Sequence, residues 1–503
     1  MQSEDTSLDA FSKIKERKII LLLCCLAAIH VFVFSAAFPF FNNVDEPLHF
    51  DLVVKYAQGH VPRALEPLSV ESAQFVTFYG SMAYFGKPDY FQDGKFPPPA
   101  WTLPIETVRQ SLRVNELAWQ KQKNYESSQP PLYYVLGGAW WRLGKAVGIH
   151  DGSLLYGIRF LNIFFIVVLV WLGYIASRLV FPENLFARIT VPALLAFMPQ
   201  TVFYSINNDV LSPLCFGAVF ICLVKLLRVE IPDVRLGVAM GLALTATYLT
   251  KATNLPLLLV ATSMILLKIW SLAKAGKLRP ALPAVAALIL PVLLAVGCWA
   301  LWMRLNFGDF TGGEVKVEHL GWTHKPFNEW WHHPIFTLHG MWFFGSNLMA
   351  TFWQGEFWWY DKPMSLPVID LIYAVVSIGL VAISTILISR STVTNAAQRQ
   401  SLWPALWSFF AAMAFLGFLS TIYDFHDCPR PSRELPYFTS GRMILGALIP
   451  FMLLFVFGLD YVLKKFGSAA KFSALGAITS FMLITEIAID WPVFSNSFNW
   501  FHI

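Results

Sequence analysis

Charge is what this chain is short of. Only 14% of its 503 residues are Asp, Glu, Lys or Arg, where soluble domains carry about 25%. The apolar fraction is 56%, aromatics reach 16%, and mean hydropathy is +0.54. These values exclude an ordinary soluble protein, and length then gives no domain count. The net charge of +5 is small, and the basic residues sit where topology wants them, so no nucleic-acid surface is expected. Cysteine is scarce too. Cys24, Cys25, Cys215, Cys222 and Cys298 fall in apolar runs and only Cys428 in a polar loop, so no disulfide framework is indicated. Serine-nucleophile, dinucleotide and P-loop signatures are absent, as are repeats and low-complexity tracts.

What is abundant is the long apolar run. Runs of about 17–25 residues mark membrane spans. Eleven are expected, near 19–40, 156–177, 187–205, 209–227, 235–250, 253–271, 282–304, 366–388, 403–422, 442–462 and 472–491. The expected fold class is an all-α polytopic membrane protein. Lys13, Lys15, Arg17 and Lys18 precede the first run, which lacks a small-x-small cleavage site and is read as a retained helix. Residues 1–18 are then a cytoplasmic N-terminus, and alternate loops are cytoplasmic. Those loops carry Arg178 and Arg188; Lys225, Arg228 and Arg235; Lys268, Lys274, Lys277 and Arg279; Arg390 and Arg399; and Lys464, Lys465 and Lys471. This matches the positive-inside tendency. Residues 19–503 form one expected transmembrane domain with no soluble C-terminal domain, and its long loops near 41–155, 306–365 and 423–441 lie on the non-cytoplasmic side.

The first long loop opens with Pro47 to Gly59. Leu48, Leu52, Val53 and Tyr56 fall at helical spacing, with Asp51 and Lys55 opposite, so an amphipathic helix along the membrane is expected. An ordinary soluble helix is the alternative. The stretch 87–104 is rich in Pro and Gly and reads as irregular. The second loop is crowded with Trp322, Trp330, Trp331, Trp342, Trp353, Trp358 and Trp359. Tryptophan favours the headgroup level, so this loop is expected to rest on the bilayer; stacking on sugars is the alternative.

Candidate chemistry gathers at the loop ends. Asp45, Glu46 and His49 stand just past the first span. An ionisable group at a membrane boundary is a functional candidate, and a carboxylate there can serve as a general base. Asp45 could equally be no more than the N-cap of the helix that Pro47 starts. Lys251, in Thr250-Lys251-Ala252-Thr253-Asn254, lies on the side where positive residues are rare. It can neutralise a phosphate or simply snorkel. Arg442 opens the tenth span, Arg159 lies inside the second, and Asn207-Asn208-Asp209 is a polar hairpin tip. Together these put acid, base and phosphate-binding groups on one side. His319, His324, His332, His333 and His339 match no zinc spacing, so no metal ligands are assigned.

These segments resemble the GT-C superfamily of polytopic glycosyltransferases. The resemblance is strongest to the bacterial relatives of protein mannosyltransferases and lipid A aminoarabinose transferases, and to a related family of uncharacterised bacterial membrane proteins. Asp45-Glu46-Pro47 with His49 is similar to the acidic motif of the first outer loop. Gln129-Pro130-Pro131-Leu132-Tyr133-Tyr134, Arg159-Phe160-Leu161-Asn162, Asn208-Asp209, Leu249-Thr250-Lys251 and Gly441-Arg442 follow in the family's order. The resemblance implies transfer of a sugar from a polyprenyl-phosphate donor to a lipid, glycan or protein acceptor on the outer face of a bacterial inner membrane, with inversion. Asp45 would be the base, with Glu46 and His49 supporting it. Lys251 and Arg442 would hold the donor phosphate, with Arg159, Tyr133, Asn208 and Asp209 lining the substrate site. No cofactor is implied, and a divalent metal stays open. A Trp-Trp-Asp motif is missing; Trp358-Trp359-Tyr360-Asp361 only resembles one, which disfavours an oligosaccharyltransferase. Two other readings remain: a lipid-linked glycan flippase, which would need polar residues through the bilayer core, and a non-catalytic assembly partner, which would tolerate loss of Asp45, Lys251 and Arg442.

Overall fold

The computed structural model describes residues 2–390, 394–428 and 430–503, with the backbone alone for 2–14. The side chain of Lys13 and residue 429 of the third loop lie outside the described residues. Helix α1 (Gln2–Ala37) leads into a long loop holding α2 (Glu46–Ala57), α3 (Val70–Tyr79), α4 (Ile105–Lys121) and α5 (Leu132–Ala146). Then come α6 (Asp151–Val180), α7 (Leu185–Ala196), α8 (Ser212–Arg228), α9 (Val234–Thr250), α10 (Leu255–Lys274), α11 (Leu278–Pro291) and α12 (Gly297–Phe307). A second long loop holds α13 (Gly313–His319), α14 (Phe327–Trp330) and α15 (Leu338–Gln354). The rest of the chain forms α16 (Pro367–Ser389), α17 (Ala396–Ile422), α18 (Leu448–Val462) and α19 (Ser468–Phe494). Strand β1 (Thr323–His324) pairs with β4 (Tyr423–Asp424), and β2 (Trp358–Trp359) with β3 (Lys362–Pro363), both antiparallel.

Among the described residues nine segments are long and apolar enough to cross a membrane, and the protein is an all-α integral membrane protein. Two of the eleven expected spans are shorter. The run near 187–205 is helical only over the 12 residues of α7, roughly 18 Å at 1.5 Å per residue, against a hydrocarbon core of about 30 Å. Pro199 stops it by pushing the residue before it out of the helical region. The chain goes on through tight turns at Thr201–Tyr204 and Asn208–Leu211, all buried. Helix α9 is also short, at 17 residues, and stops at Thr250, just before the extended Lys251. Non-helical backbone at membrane depth survives only where protein buries it or where it lines a cavity. A third break, the tight stretch Gly441–Ala447 ahead of α18, meets the other two.

Gly441 lets that third break sit against α15. A Cβ there would stand 2.1 Å from Phe352 N. Gly441→Ala is therefore expected to displace the backbone that carries Arg442 and to lower stability by about 1–3 kcal/mol, the usual cost of overpacking. Thermal unfolding of purified protein checks this; an unchanged midpoint would contradict the close approach.

Helix α2 departs from the expectation of a helix lying along the membrane. Leu48, Leu52 and Val53 are buried, but so are Asp51 and Lys55. Asp51 accepts from Ser69 N at 2.8 Å and Asn124 Nδ2 at 2.9 Å, and pairs with Lys55 at 2.9 Å. Lys55 also donates to Pro67 O at 2.7 Å. The wet face is thus covered by the loop itself. Helix α5 closes over α2 at Gly138, where a Cβ would stand 2.8 Å from Ala57 N. The amphipathic role passes to α5, which exposes Val135, Leu136 and Leu143 while burying Tyr134 and Trp141. In the second loop α15 is a further helix that buries Phe344, Leu348, Phe352 and Trp353. The tryptophans there divide: Trp353 and Trp359 are buried and Trp331 and Trp342 exposed, so only part of that loop has a face for a bilayer.

Candidate functional site

Asp45 occupies the N-cap position of α2 but does not cap it. Its φ is 63° and its side chain accepts no hydrogen bond from the helix N–H groups. Asp is one of the few residues that tolerate this left-handed conformation. The turn sends the carboxylate away from α2. Oδ2 accepts from Arg442 Nη2 at 2.6 Å, and Oδ1 accepts from the Tyr125 hydroxyl. The reading of Asp45 as only a helix cap is thereby overturned.

Arg442 extends the network. Its Nη1 reaches Asp209 Oδ2 at 3.1 Å, and its Nε lies 3.6 Å from Glu356 Oε2. Asp209 Oδ1 lies 2.6 Å from Lys251 Nζ. Asp45, Arg442, Asp209 and Lys251 thus form one continuous chain of ion pairs drawn from the start of α2 and the three broken segments. Side-chain exposure falls from 26% at Glu356 through 12% at Asp45 and 8% at Arg442 to 1% at Asp209. The network is therefore reached from the side of Glu356 and Asp45. Arg442 Nε, His49 Nε2, Asn207 Nδ2 and Asn208 Oδ1 are buried without a protein hydrogen-bond partner. An unpaired buried polar group costs about 1–3 kcal/mol, so their concentration here marks a place for ligand or water.

Electrostatics set the protonation states. Burial would raise the Asp45 pKa, but Arg442, helped by Lys316, His49 and the Tyr125 hydroxyl, outweighs it and holds the carboxyl well below the usual carboxylate range. Burial, with Asp45 and Glu126 close by, holds the Tyr125 phenol well above its ordinary value, so it donates. Burial pushes His49 down to about 4, and its Nδ1 lies 2.7 Å from the Tyr134 hydroxyl. Unfolded histidine binds its proton below about pH 6.5, whereas folded His49 binds one only below about 4. The unfolded state therefore gains protons first as pH falls, and stability declines from pH 6.5 toward 4. Unfolding midpoints across that range are expected to fall for the wild type and less steeply for His49→Gln; equal slopes would contradict a buried neutral imidazole.

Glu46 and Arg159 hold the chain rather than face a substrate. Arg159 donates to Glu46 through Nε at 2.8 Å and Nη2 at 2.7 Å. Its remaining N–H groups reach Ser35 O at 3.4 Å, Phe38 O at 2.6 Å and Pro39 O at 3.0 Å. Those carbonyls lie at and just past the end of α1, where a helix leaves acceptors unsatisfied. Glu46 also accepts from Phe41 N at 2.9 Å and Ile206 N at 3.0 Å. Both side chains are fully buried. With every donor engaged, Arg159 has none for a phosphate, and Glu46 has no open oxygen. Tyr133 differs: it is fully buried, edge-on to Tyr134 at 5.6 Å, but its hydroxyl has no protein hydrogen-bond partner. Asn208 is a positioning residue, donating to Gln129 Oε1 at 3.2 Å and Thr250 O at 3.1 Å.

Four residues of the network escape sequence reasoning: Tyr125, Glu126, Lys316 and Glu356. Glu126 pairs with Lys316 and accepts from Gln129 Nε2 at 2.6 Å. Glu356 accepts from the Ser440 hydroxyl at 2.5 Å. Single polar residues in long loops carry no pattern. The one available signal is Gly355, whose φ of 79° marks the tight turn that brings Glu356 inward. The loop histidines disperse: His324 pairs with Glu314 at 3.3 Å, and His333 meets Pro436 O at 3.0 Å. Among the described residues no group of three or more His, Cys, Asp or Glu is arranged to hold a metal.

Two solved structures similar to this chain are oligosaccharyltransferases of Archaeoglobus fulgidus. One is AglB in complex with an inhibitory peptide and a dolichol-phosphate, with a TM-score of 0.40 and 12% identity, covering 96% of this chain and 55% of that one. The other is the apo form, with a TM-score of 0.37 and 12% identity, covering 94% and 55%. The chain spans about half the length of these structures. No curated protein matches it. Residues 28–421 match the family described as "Predicted membrane protein (DUF2142)", and the chain belongs to that family.

Proposed function

We propose that this protein transfers a sugar from a polyprenyl-phosphate donor to a lipid, glycan or protein acceptor on the non-cytoplasmic face of a bacterial inner membrane. The observation that carries the reading is the bridge that Arg442 makes between Asp45 and Asp209, which continues to Lys251. It sets a carboxylate that can take a proton beside two cations that can take a phosphate. The sequence resemblance to GT-C enzymes assigns the same residues to these tasks.

In this reading the donor phosphate binds Arg442 and Lys251, using Arg442 Nε, which makes no hydrogen bond and meets Glu356 only at 3.6 Å. Sharing Arg442 with the phosphate weakens its hold on Asp45, whose basicity rises. Asp45 then removes the acceptor hydroxyl proton. The acceptor oxygen bonds to the anomeric carbon from the face opposite the phosphate, and the bond from that carbon to the phosphate oxygen breaks with inversion. The electron pair leaves on the polyprenyl phosphate, where fixed cations stabilise the growing charge. Neutral His49 lines the region, and Glu46 with Arg159 fixes the backbone on either side of Asp45.

The phosphate clamp is tested by polyprenyl phosphate binding to purified protein. Lys251→Ala and Arg442→Ala are each expected to weaken binding about tenfold or more, the scale of a lost charge-assisted contact of about 1.5–3 kcal/mol. Asp45→Asn, which removes a competing carboxylate, is expected to leave binding equal or tighter. Equal affinity in wild type and both cation variants would remove the clamp.

A further inference from the structure

We propose that a pocket between the second and third long loops binds the headgroup of a zwitterionic phospholipid of the phosphoethanolamine type. The cavity holds about 370 Å³ and is lined by Lys325, Glu329, His332, Asp424, Arg433 and Glu434, among others. That volume lies at the lower end of ligand pockets. None of these residues belongs to the Asp45 network, and the inference stands whether or not sugar transfer does.

Height is the first argument. The pocket begins where α17 leaves its span. Lys325 N donates to Ile422 O, the last residue of α17, at 2.8 Å, and β1 pairs with β4 at Thr323 and Asp424. Trp330 packs on Phe418, one turn inside that end, at 5.6 Å. Beside the pocket, Phe327, Trp331 and Phe336 are 64%, 63% and 56% exposed. Of these, Trp331, level with a helix end, suits the headgroup layer of a bilayer, where tryptophan is enriched.

Charge is the second argument. Among the described residues the Lys325 ammonium and the Glu329 and Glu434 carboxylates make no ion pair or hydrogen bond. Arg433 is shared with Asp424 at 3.3 Å. Burial pushes His333 down to about 4, and Pro436 O holds it, so it adds no charge. A headgroup there meets one free cation and two free carboxylates. A purely anionic headgroup would face both carboxylates unpaired. A phosphoethanolamine sets its phosphate toward Lys325 and Arg433 and donates its ammonium protons to Glu329 and Glu434. A quaternary ammonium has no such protons to donate.

Native mass spectrometry of the full chain, purified with an equal mixture of phosphatidylethanolamine, phosphatidylglycerol and phosphatidylcholine, tests this. The wild type is expected to retain phosphatidylethanolamine preferentially. Lys325→Ala and the double variant Glu329→Gln, Glu434→Gln should each cut that preference roughly twofold to fivefold, the scale of an exposed ion pair. Their unfolding temperatures in lipid-free detergent should match the wild type, which separates lost binding from lost folding. Equal retention of the three lipids by the wild type, or an undiminished preference in both variants, would overturn the proposal. Donor binding at Lys251 and Arg442, measured in the same variants, is expected to be unaffected.

Discussion

Replacing Asp45 with asparagine is expected to abolish sugar transfer, lowering turnover by about 10²–10⁴-fold, the contribution of a general base. The substitution is mild for the fold. Asn tolerates the left-handed backbone that Asp45 adopts at φ 63°. It keeps a carbonyl oxygen for the Tyr125 hydroxyl, and Arg442 keeps Asp209 at 3.1 Å and Glu356 at 3.6 Å as counter-charges. What is lost is the base and one of the three counter-charges of Arg442. The variant should elute and melt like the wild type while donor turnover disappears. If turnover persists, the base lies elsewhere, and the unpartnered His49 Nε2 is the next group in the region able to take a proton.

The second large effect concerns folding. Arg159→Ala is expected to destabilise the protein by about 3–5 kcal/mol, the cost of leaving a buried charge without its partner. Glu46 would keep the backbone N–H groups of Phe41 and Ile206 but lose both guanidinium bonds. The carbonyls of Ser35, Phe38 and Pro39 would lose their donor as well. Removing both charges together, with Glu46→Gln added to Arg159→Ala, is expected to recover part of the loss. Urea or thermal unfolding of the three proteins measures it. An Arg159→Ala protein as stable as wild type, impaired only in donor binding, would return Arg159 to the substrate site.

Much of this molecule is legible in its sequence because lipid imposes a simple rule. Long apolar runs become helices, and nine of the eleven expected spans correspond to helices long enough to cross. The rule fails where protein replaces lipid around the backbone. Pro199 cuts one expected span short, and buried turns carry the chain on to Asp209. The first loop misleads for a related reason: Asp51 and Lys55 satisfy each other inside, so a helix with an amphipathic pattern has no wet face. Lys251, Asp209 and Arg442 stand out in sequence because charge is scarce beside apolar runs. Tyr125, Glu126, Lys316 and Glu356 do not, because they lie in polar loops where such residues are common. Arg159 and Glu46 are visible as residues, but their pairing across 113 positions is not, and that pairing decides whether they hold the fold or the substrate.

The most direct test of sugar transfer at the Asp45–Arg442–Asp209–Lys251 network is donor consumption by purified protein, reconstituted with native lipid extract as acceptor and offered a panel of polyprenyl-phosphate sugars. The wild type is expected to consume one donor and release polyprenyl phosphate, and Asp45→Asn and Lys251→Ala are each expected to release none. Consumption of no donor by the wild type, or equal consumption by the wild type and both variants, would contradict the assignment.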